Sequence, residues 1–175
     1  CWQYIYNKDK IVPEFTVTSI VIGIILAVVF GAANAYLGLI VGMTVSASIP
    51  AAVISMGIIR VILRKDSILE NNLVQTIGSA GESVAAGAIF TLPALFIWAE
   101  EGKIAFPSMM TIFLVALFGG VLGICFMVPL RQALIVEEHG TLPFPEGTAC
   151  AEVLLAGEEG GAKAGTVFAG LGIAA

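Results

Sequence analysis

Residues 68–98, ILENNLVQTIGSAGESVAAGAIFTLPALFIW, have the length of a membrane-spanning helix but carry polar side chains in an apolar background. A hydrocarbon core is crossed by about 20 residues of mainly apolar helix. At about 100° per residue, one stripe of such a helix contains Asn71, Gln75, Gly78 and Glu82. We expect this stripe to face protein or water rather than lipid, because polar side chains are costly in hydrocarbon.

The composition is that of a membrane protein. Of the 175 residues, 58% are hydrophobic and 12% are charged, against roughly 25% charged residues in soluble domains. The 20 glycines and 7 prolines are scattered through the apolar runs, as in closely packed and locally broken membrane helices. We therefore predict an all-α fold, a polytopic transmembrane helical bundle in a lipid bilayer, with a short re-entrant or interfacial helix.

Charge and cysteine content argue against several classes of function. The net charge of −5 argues against a nucleic-acid partner, because phosphate binding requires clustered Lys and Arg. Three cysteines without metal-type spacing, and one histidine, His139, without a partner motif, give no reason to expect a metal, a cofactor or an enzyme. The chain starts at Cys1 and stops within an apolar run, so we expect a fragment of a longer protein.

Four apolar segments are predicted to span the membrane within a single transmembrane domain, 1–175. They cover about residues 15–39, 43–63, 70–98 and 108–135, and residues 164–175 begin a further span. The first two are separated by very few residues, which predicts a tight helical hairpin. Pro50 lies inside the second and is expected to kink it, with Ser46 and Ser48 nearby to bond the freed carbonyl groups.

Small residues recur at helical spacing in the first and fourth spans. In the first span they are Gly23, Ala27, Gly31 and Ala35. Gly119 and Gly123 form a GxxxG pair in the fourth. Such stripes let helices approach closely, so we expect another helix against each of them, either within one subunit or between the subunits of an oligomer.

A short helix is predicted over residues 146–156, because Pro145 suits a helix start and Gly157 a helix end. It is only about 16 Å long and does not cross the membrane. It is either a re-entrant half-helix or an interfacial helix without a ligand. A half-helix would direct the free backbone donors near Gly147 and Thr148 into the protein, where they suit an anionic group.

Glu82 has a structural and a functional interpretation. A charged, unpaired carboxylate at this depth costs several kcal/mol, so Glu82 is expected to be protonated, paired or next to a water-filled cavity. In the structural interpretation it is hydrogen-bonded or ion-paired, with Arg131 or another helix as its partner. In the functional interpretation it couples protons or contacts a substrate. Asn34 likewise either lines a cavity or bonds across helices.

The positive-inside rule orients the chain. A cytoplasmic N-terminus places most cations inside, namely Lys8, Lys10, Arg60, Arg64, Lys65 and Arg131, and leaves Lys103 outside. The reverse orientation places nearly all of them on the wrong side. We therefore expect a multi-pass protein of the inner or plasma membrane with a cytoplasmic N-terminus.

Four segments together resemble the oligopeptide transporter superfamily, which includes the yellow-stripe-like metal-chelate carriers. They are NNLVQTIGSAGESVAAG at 71–87, FTLPAL at 90–95, VPLRQALIVEE at 128–138 and LPFPEGTACAEVL at 142–154. The specific signal is an ordered pair of elements, Asn and Gln opening one span and an aromatic-Pro-x-Gly-Thr-Ala sequence after the next. The resemblance looks closest to the prokaryotic branch and covers nearly the whole chain.

The resemblance implies a secondary transporter that imports oligopeptides or metal-chelate complexes, with protons as the coupling ion. It points to Asn71, Asn72, Gln75 and Glu82 on the third span, and to Pro145, Gly147 and Thr148 in the short helix. Glu82 is then the proton acceptor and the other residues bind substrate, so that the polar stripe and the short helix form two walls of one path. The alternatives are a channel and a non-transporting membrane scaffold.

Overall fold

A computed structural model describes residues 15–62, 64, 67–138, 140–159 and 161–174, so Lys8, Lys10, Lys65 and His139 lie outside the described residues. The described part contains helices and no β-strand, which confirms the all-α fold class. The α-helices are α1 (Val17–Val41), α2 (Ser48–Met56), α3 (Ile68–Glu100), α4 (Met109–Arg131), α5 (Pro145–Glu159) and α6 (Gly161–Ala174), and π-helical turns cover Gly57–Ile62 and Gln132–Glu137.

Three helical segments are long and apolar enough to cross a membrane, namely α1, α3 and Met109–Glu137. Capping side chains set the starts of α1 and α3. Thr16 accepts a 3.2 Å hydrogen bond from the backbone N–H of Ser19 at the start of α1, and Ser67 accepts one from Glu70 at the start of α3. These bonds satisfy amide groups that a helix leaves unpaired in its first turn.

Helices α1 and α3 pack closely along the small-residue stripe of α1. A side chain added at Gly23 would come within 2.8 Å of Ile77, and one at Gly31 would come within 3.1 Å of the Gly81 carbonyl oxygen. A side chain at Gly81 would collide with the backbone of Ala27. The helix expected to pack against this stripe is therefore α3, and the absence of Cβ atoms lets the two backbones approach.

The predicted hairpin between the first two spans is wrong. The main helix contact of α1 is with α3, whereas α2 packs on α3 and α5. Gly42, in a left-handed conformation with φ of 73°, ends α1, and residues 43–47 are not helical. The connection places α2 beside α3 and α5, and its segment meets α1 through apolar side chains such as Leu26 and Ile59.

The second helix is shorter than the segment 43–63. It begins at Ser48, and its α-helical part ends at Met56. Pro50 therefore lies in the first turn rather than in the interior, where its missing N–H leaves no helical bond unmade and causes no kink. Whether this segment crosses the membrane stays a prediction.

Helix α5 begins at Pro145 as expected but runs on to Glu159. Gly157, expected to end it, is buried against α2, and a Cβ at this position would overlap the side chain of Met56. The glycine thus permits close packing between helices instead of terminating one. With 15 residues, α5 is about 22 Å long, still shorter than the hydrocarbon core.

Helix α4 is the most exposed helix. None of its residues is buried, and no heavy atom lies within 4 Å of a Cβ built at Gly119 or Gly123. Within the described part of the chain, the small residues of α4 therefore have no close helix partner. Their role in packing stays a prediction.

Candidate functional site

A cavity of about 780 Å³ lies between α3, α5 and the connection that precedes α2. Helix α3 contributes Asn72, Gln75 and Glu82, and α5 contributes Glu146, Gly147 and Cys150. The connection and the start of α2 add the hydroxyl groups of Thr44, Ser46 and Ser48. Polar groups from three separate stretches of sequence therefore face one space.

Four of the predicted site residues line this cavity. Asn72, Gln75 and Glu82 come from the polar helix α3, and Gly147 comes from the short helix α5. The two sequence elements expected to form walls of a path are thus brought together. No heavy atom lies within 4 Å of a Cβ built at Gly147, so the helix backbone is accessible from the cavity at this position.

Asn71 does not line the cavity. Its side chain is 8% exposed, and its Oδ1 accepts a 3.3 Å hydrogen bond from Ser55 Oγ of α2. Successive residues of a helix differ by about 100° in direction, so Asn72 faces the cavity while Asn71 turns into the interface with α2. Asn71 therefore joins two helices.

Pro145 and Thr148 also lie outside the cavity lining. Pro145 is the first residue of α5. The backbone N–H and the hydroxyl of Thr148 both donate to the carbonyl oxygen of Phe144, over 3.0 and 2.8 Å. These bonds occupy the donors of Thr148 in the first turn of α5. Both residues thus shape the end of the helix that presents Gly147.

Glu82 is held by a neighbour that the sequence did not identify as its partner. Asn34 of α1 donates a 3.0 Å hydrogen bond from Nδ2 to Glu82 Oε1, and the side chains of the two residues are 3% and 9% exposed. Arg131, the suggested partner, is exposed at the end of α4. The structural interpretation of Asn34, a bond across helices, therefore holds.

The same asparagine also holds the non-helical connection. Its Oδ1 accepts a 2.9 Å hydrogen bond from the backbone N–H of Val45. Non-helical backbone within a membrane protein is tolerated where it is buried in protein or lines a cavity. Asn34 satisfies one of the exposed amide groups of this connection and links it to Glu82.

Glu146 is a cavity residue that the sequence analysis missed. Its Oε1 accepts a hydrogen bond from Ser46 Oγ, and bonds from Ser46 and Ser48 lower the pKa of its carboxyl group below the ordinary value. It lies in the first turn of α5, where the helix dipole favours a negative charge. A carboxylate of the chain itself thus lies at the helix end where an anionic ligand was expected.

Cys150 is a second missed residue. It is 6% exposed, and its Sγ lies 4.0 Å from Gln75 Nε2 across the cavity wall. Burial, followed by the negative charge of Glu146, raises the pKa of its thiol. Both residues lie within the LPFPEGTACAEVL segment, one turn apart, and this helical spacing was the signal available in the sequence.

The described residues do not form a metal site, since no three His, Cys, Asp or Glu side chains among them are grouped as a metal ion would require. The cavity instead offers amides, hydroxyls and two carboxylates. Such groups bind organic polar ligands through hydrogen bonds and charge.

Comparison with known proteins gives the family. The family model described as OPT oligopeptide transporter protein matches residues 14–175. The chain belongs to the OPT oligopeptide transporter family. A Haemophilus influenzae protein named "Putative oligopeptide transporter" is 44% identical over 133 residues, which cover 74% of this chain and 19% of that protein. No solved structure matches the chain.

The OPT match and the apolar helices together identify a multi-pass membrane protein. The chain spans 19% of the length of the curated relative that it matches. Within this part of an OPT family member, the cavity joins the two sequence elements that carried the resemblance, on α3 and α5.

Proposed function

We propose that the protein containing this chain is a secondary transporter that imports oligopeptides or metal-chelate complexes, with protons as the coupling ion. The observation that carries this proposal is the cavity of about 780 Å³ lined by polar groups of α3 and α5 in an OPT family member. A volume of this size is typical of small-ligand sites. The name of the Haemophilus relative, "Putative oligopeptide transporter", favours a peptide as cargo.

In this proposal, Asn72 and Gln75 bind the cargo directly. Each side chain offers an amide donor and a carbonyl acceptor, which match the amide groups of a peptide backbone. Gly147 lets the cargo approach the backbone of α5. Three other predicted residues do not line the cavity, namely Asn71, Pro145 and Thr148. Their proposed contribution is to fix the helices that carry Asn72, Gln75 and Gly147.

Glu82 is the proposed proton acceptor. It lines the cavity and is mostly buried, so a proton that enters the cavity can reach it. When Glu82 is ionised, the bond from Asn34 is charge-assisted, and protonation weakens it. Asn34 also accepts a hydrogen bond from Val45. Protonation of Glu82 therefore loosens the residue that holds the connection carrying Ser46.

The proposed location is the inner or plasma membrane, with a cytoplasmic N-terminus. The positive-inside rule supports this orientation. The loop after α3 then lies outside, and Lys103 is its only cation. Asn72 then lies nearer the cytoplasm than Glu82 along α3. The cavity in this orientation is a path that leads inward from Glu82.

The test is uptake by the full-length transporter in proteoliposomes. Labelled trialanine should enter saturably under an inward proton gradient, and a protonophore should abolish its accumulation. A ferric chelate added as competitor distinguishes the two cargo classes. Non-saturable flux that ignores the proton gradient would instead indicate a channel, and the absence of both uptake and ligand-dependent stabilisation would indicate a scaffold.

The Glu82→Gln variant tests the coupling residue separately. Gln keeps an oxygen that accepts the bond from Asn34 but cannot take up the proton. We expect this variant to bind cargo and to lose the dependence of uptake on the proton gradient. Proton dependence equal to that of the wild type would exclude Glu82 as the acceptor.

A further inference from the structure

The charged side chains that line the cavity are the carboxylates of Glu82 and Glu146, and no lysine or arginine is among the described lining residues. We infer that the cavity selects cargo with a positively charged amino group, such as the free amino terminus of a peptide, and disfavours anionic complexes. This inference rests on the proposed transport function and adds the charge class of the cargo.

The carboxylates come from separate walls of the cavity, Glu82 from α3 and Glu146 from α5. Each already accepts a hydrogen bond from a neutral donor, Asn34 and Ser46 respectively. Glu146 is exposed to the cavity, and its bond comes from a hydroxyl that can turn away. An ammonium group carries three donors and a full charge, so it competes well with a serine for this carboxylate.

The start of α5 is a poor site for an anion. A helix N-terminus attracts anions through its free N–H groups and its dipole, but Glu146 in the first turn already supplies a negative charge there. The adjacent hydroxyl of Ser46 donates a hydrogen bond to this carboxylate, and the hydroxyl of Ser48 lines the cavity beside it. An anionic chelate would have to displace them next to a like charge.

A bare metal cation is also disfavoured. Within the described residues, no group of three His, Cys, Asp or Glu side chains could hold a metal ion. The cavity lining also contains the amides of Asn72 and Gln75, which suit a peptide bond. The charge pattern and the amides therefore agree on a peptide with a free amino terminus.

The experiment compares three probes on the full-length transporter in proteoliposomes. Trialanine has both terminal charges, N-acetyl-trialanine lacks the positive charge, and trialanine amide lacks the negative charge. We expect the acetylated peptide to compete for uptake at least about tenfold more weakly than trialanine, since a hydrogen bond to a charged group is lost. Trialanine amide should compete as well as trialanine or better.

The Glu146→Gln variant tests whether Glu146 causes the preference for a free amino terminus. It should reduce the preference for trialanine over the acetylated peptide, while Glu152→Gln should not. Glu152 lies on the same helix, undergoes the same chemical change and does not line the cavity. Retention of the full preference in a folded Glu146→Gln protein would overturn the role of Glu146.

The outcomes separate this inference from the function on which it rests. Equal competition by trialanine and N-acetyl-trialanine in the wild-type protein would overturn the inference and leave saturable transport intact. A preference for a ferric chelate over all three peptides would overturn it as well. No saturable uptake of any probe would overturn the transport proposal itself. The wild-type comparison needs no variant, so it remains decisive if Glu146→Gln fails to fold.

Discussion

The side-chain amide of Asn34 bridges Glu82 and the backbone of Val45, with hydrogen bonds of 3.0 and 2.9 Å. Asn34 thus uses its donor on a buried carboxylate and its acceptor on a non-helical connection. An apolar side chain of similar size would leave the buried Glu82 side chain without this donor and the Val45 N–H without this acceptor.

The first prediction concerns this bridge. Asn34→Leu should destabilise the protein by about 1–3 kcal/mol, because it leaves the buried Glu82 side chain without its donor. Glu82→Gln should cost less, because its amide oxygen still accepts the bond. Denaturant unfolding in detergent measures both. Asn72→Leu is the control on an exposed position, and its effect should stay within about 0.5 kcal/mol. Equal free energies of unfolding for Asn34→Leu and the wild type would show that the bridge does not stabilise the protein.

The second prediction concerns the contact between α1 and α3. Gly81→Ala should destabilise the protein by about 1–3 kcal/mol, since its Cβ would collide with the backbone of Ala27. Gly87→Ala, on the same helix with no atom within 4 Å of its Cβ, should be neutral or stabilise by up to about 1 kcal/mol through helix propensity. Thermal unfolding of both variants provides the comparison. A Gly81→Ala protein as stable as Gly87→Ala would contradict the close approach.

The third prediction separates two neighbouring asparagines. Asn72 lines the cavity, whereas Asn71 bonds to Ser55 in the α2–α3 interface. Asn72→Ala should therefore raise the KM for peptide uptake with little effect on unfolding. Asn71→Ala should lower the stability and leave the KM nearly unchanged in the folded fraction. If the two variants exchanged these effects, the assignment of the cavity wall would be wrong.

The fourth prediction concerns the thiol of Cys150. Burial and the charge of Glu146 raise its pKa, so less of the reactive thiolate is present at neutral pH. In a full-length variant with Cys150 as its single cysteine, maleimide labelling should be slow and should accelerate as the pH rises. Glu146→Gln should increase the rate at neutral pH, because it removes a negative charge that disfavours the thiolate. Trialanine should protect the thiol.

Labelling of a second full-length variant, with Cys125 on the exposed helix α4 as its single cysteine, serves as the control. Its rate should not respond to Glu146→Gln or to trialanine, because it does not line the cavity. Protection of both cysteines by the peptide would indicate a general change in the protein rather than occupancy of the cavity.

Periodicity and composition were enough to predict the long apolar helices and one wall of the cavity. Polar residues in the apolar segment 68–98 indicated a helix that faces protein or water, and α3 has Asn72, Gln75 and Glu82 on the cavity. Pro145 marked the start of α5 correctly. These features depend on the spacing of residues along one helix, which is visible in a single sequence.

The partners of these residues depended on contacts between distant segments. The bond between Asn34 and Glu82 joins positions 48 residues apart, and that between Ser46 and Glu146 joins positions 100 apart. No local pattern encodes such a pairing. The hairpin was mispredicted for the same reason, because a short connection was assumed to join neighbours in space.

The backbone contact between Gly81 and Ala27 has a mechanical consequence. Helices whose main chains touch cannot slide past each other without breaking many contacts at once, so we expect α1 and α3 to move as one rigid unit. Asn34 and Glu82 then stay together, whereas the contact between Ser46 and Glu146 joins the non-helical connection to α5. The Glu82 side of the cavity is therefore held by main-chain packing between two helices, whereas its Glu146 side is linked to the connection through a side-chain hydrogen bond.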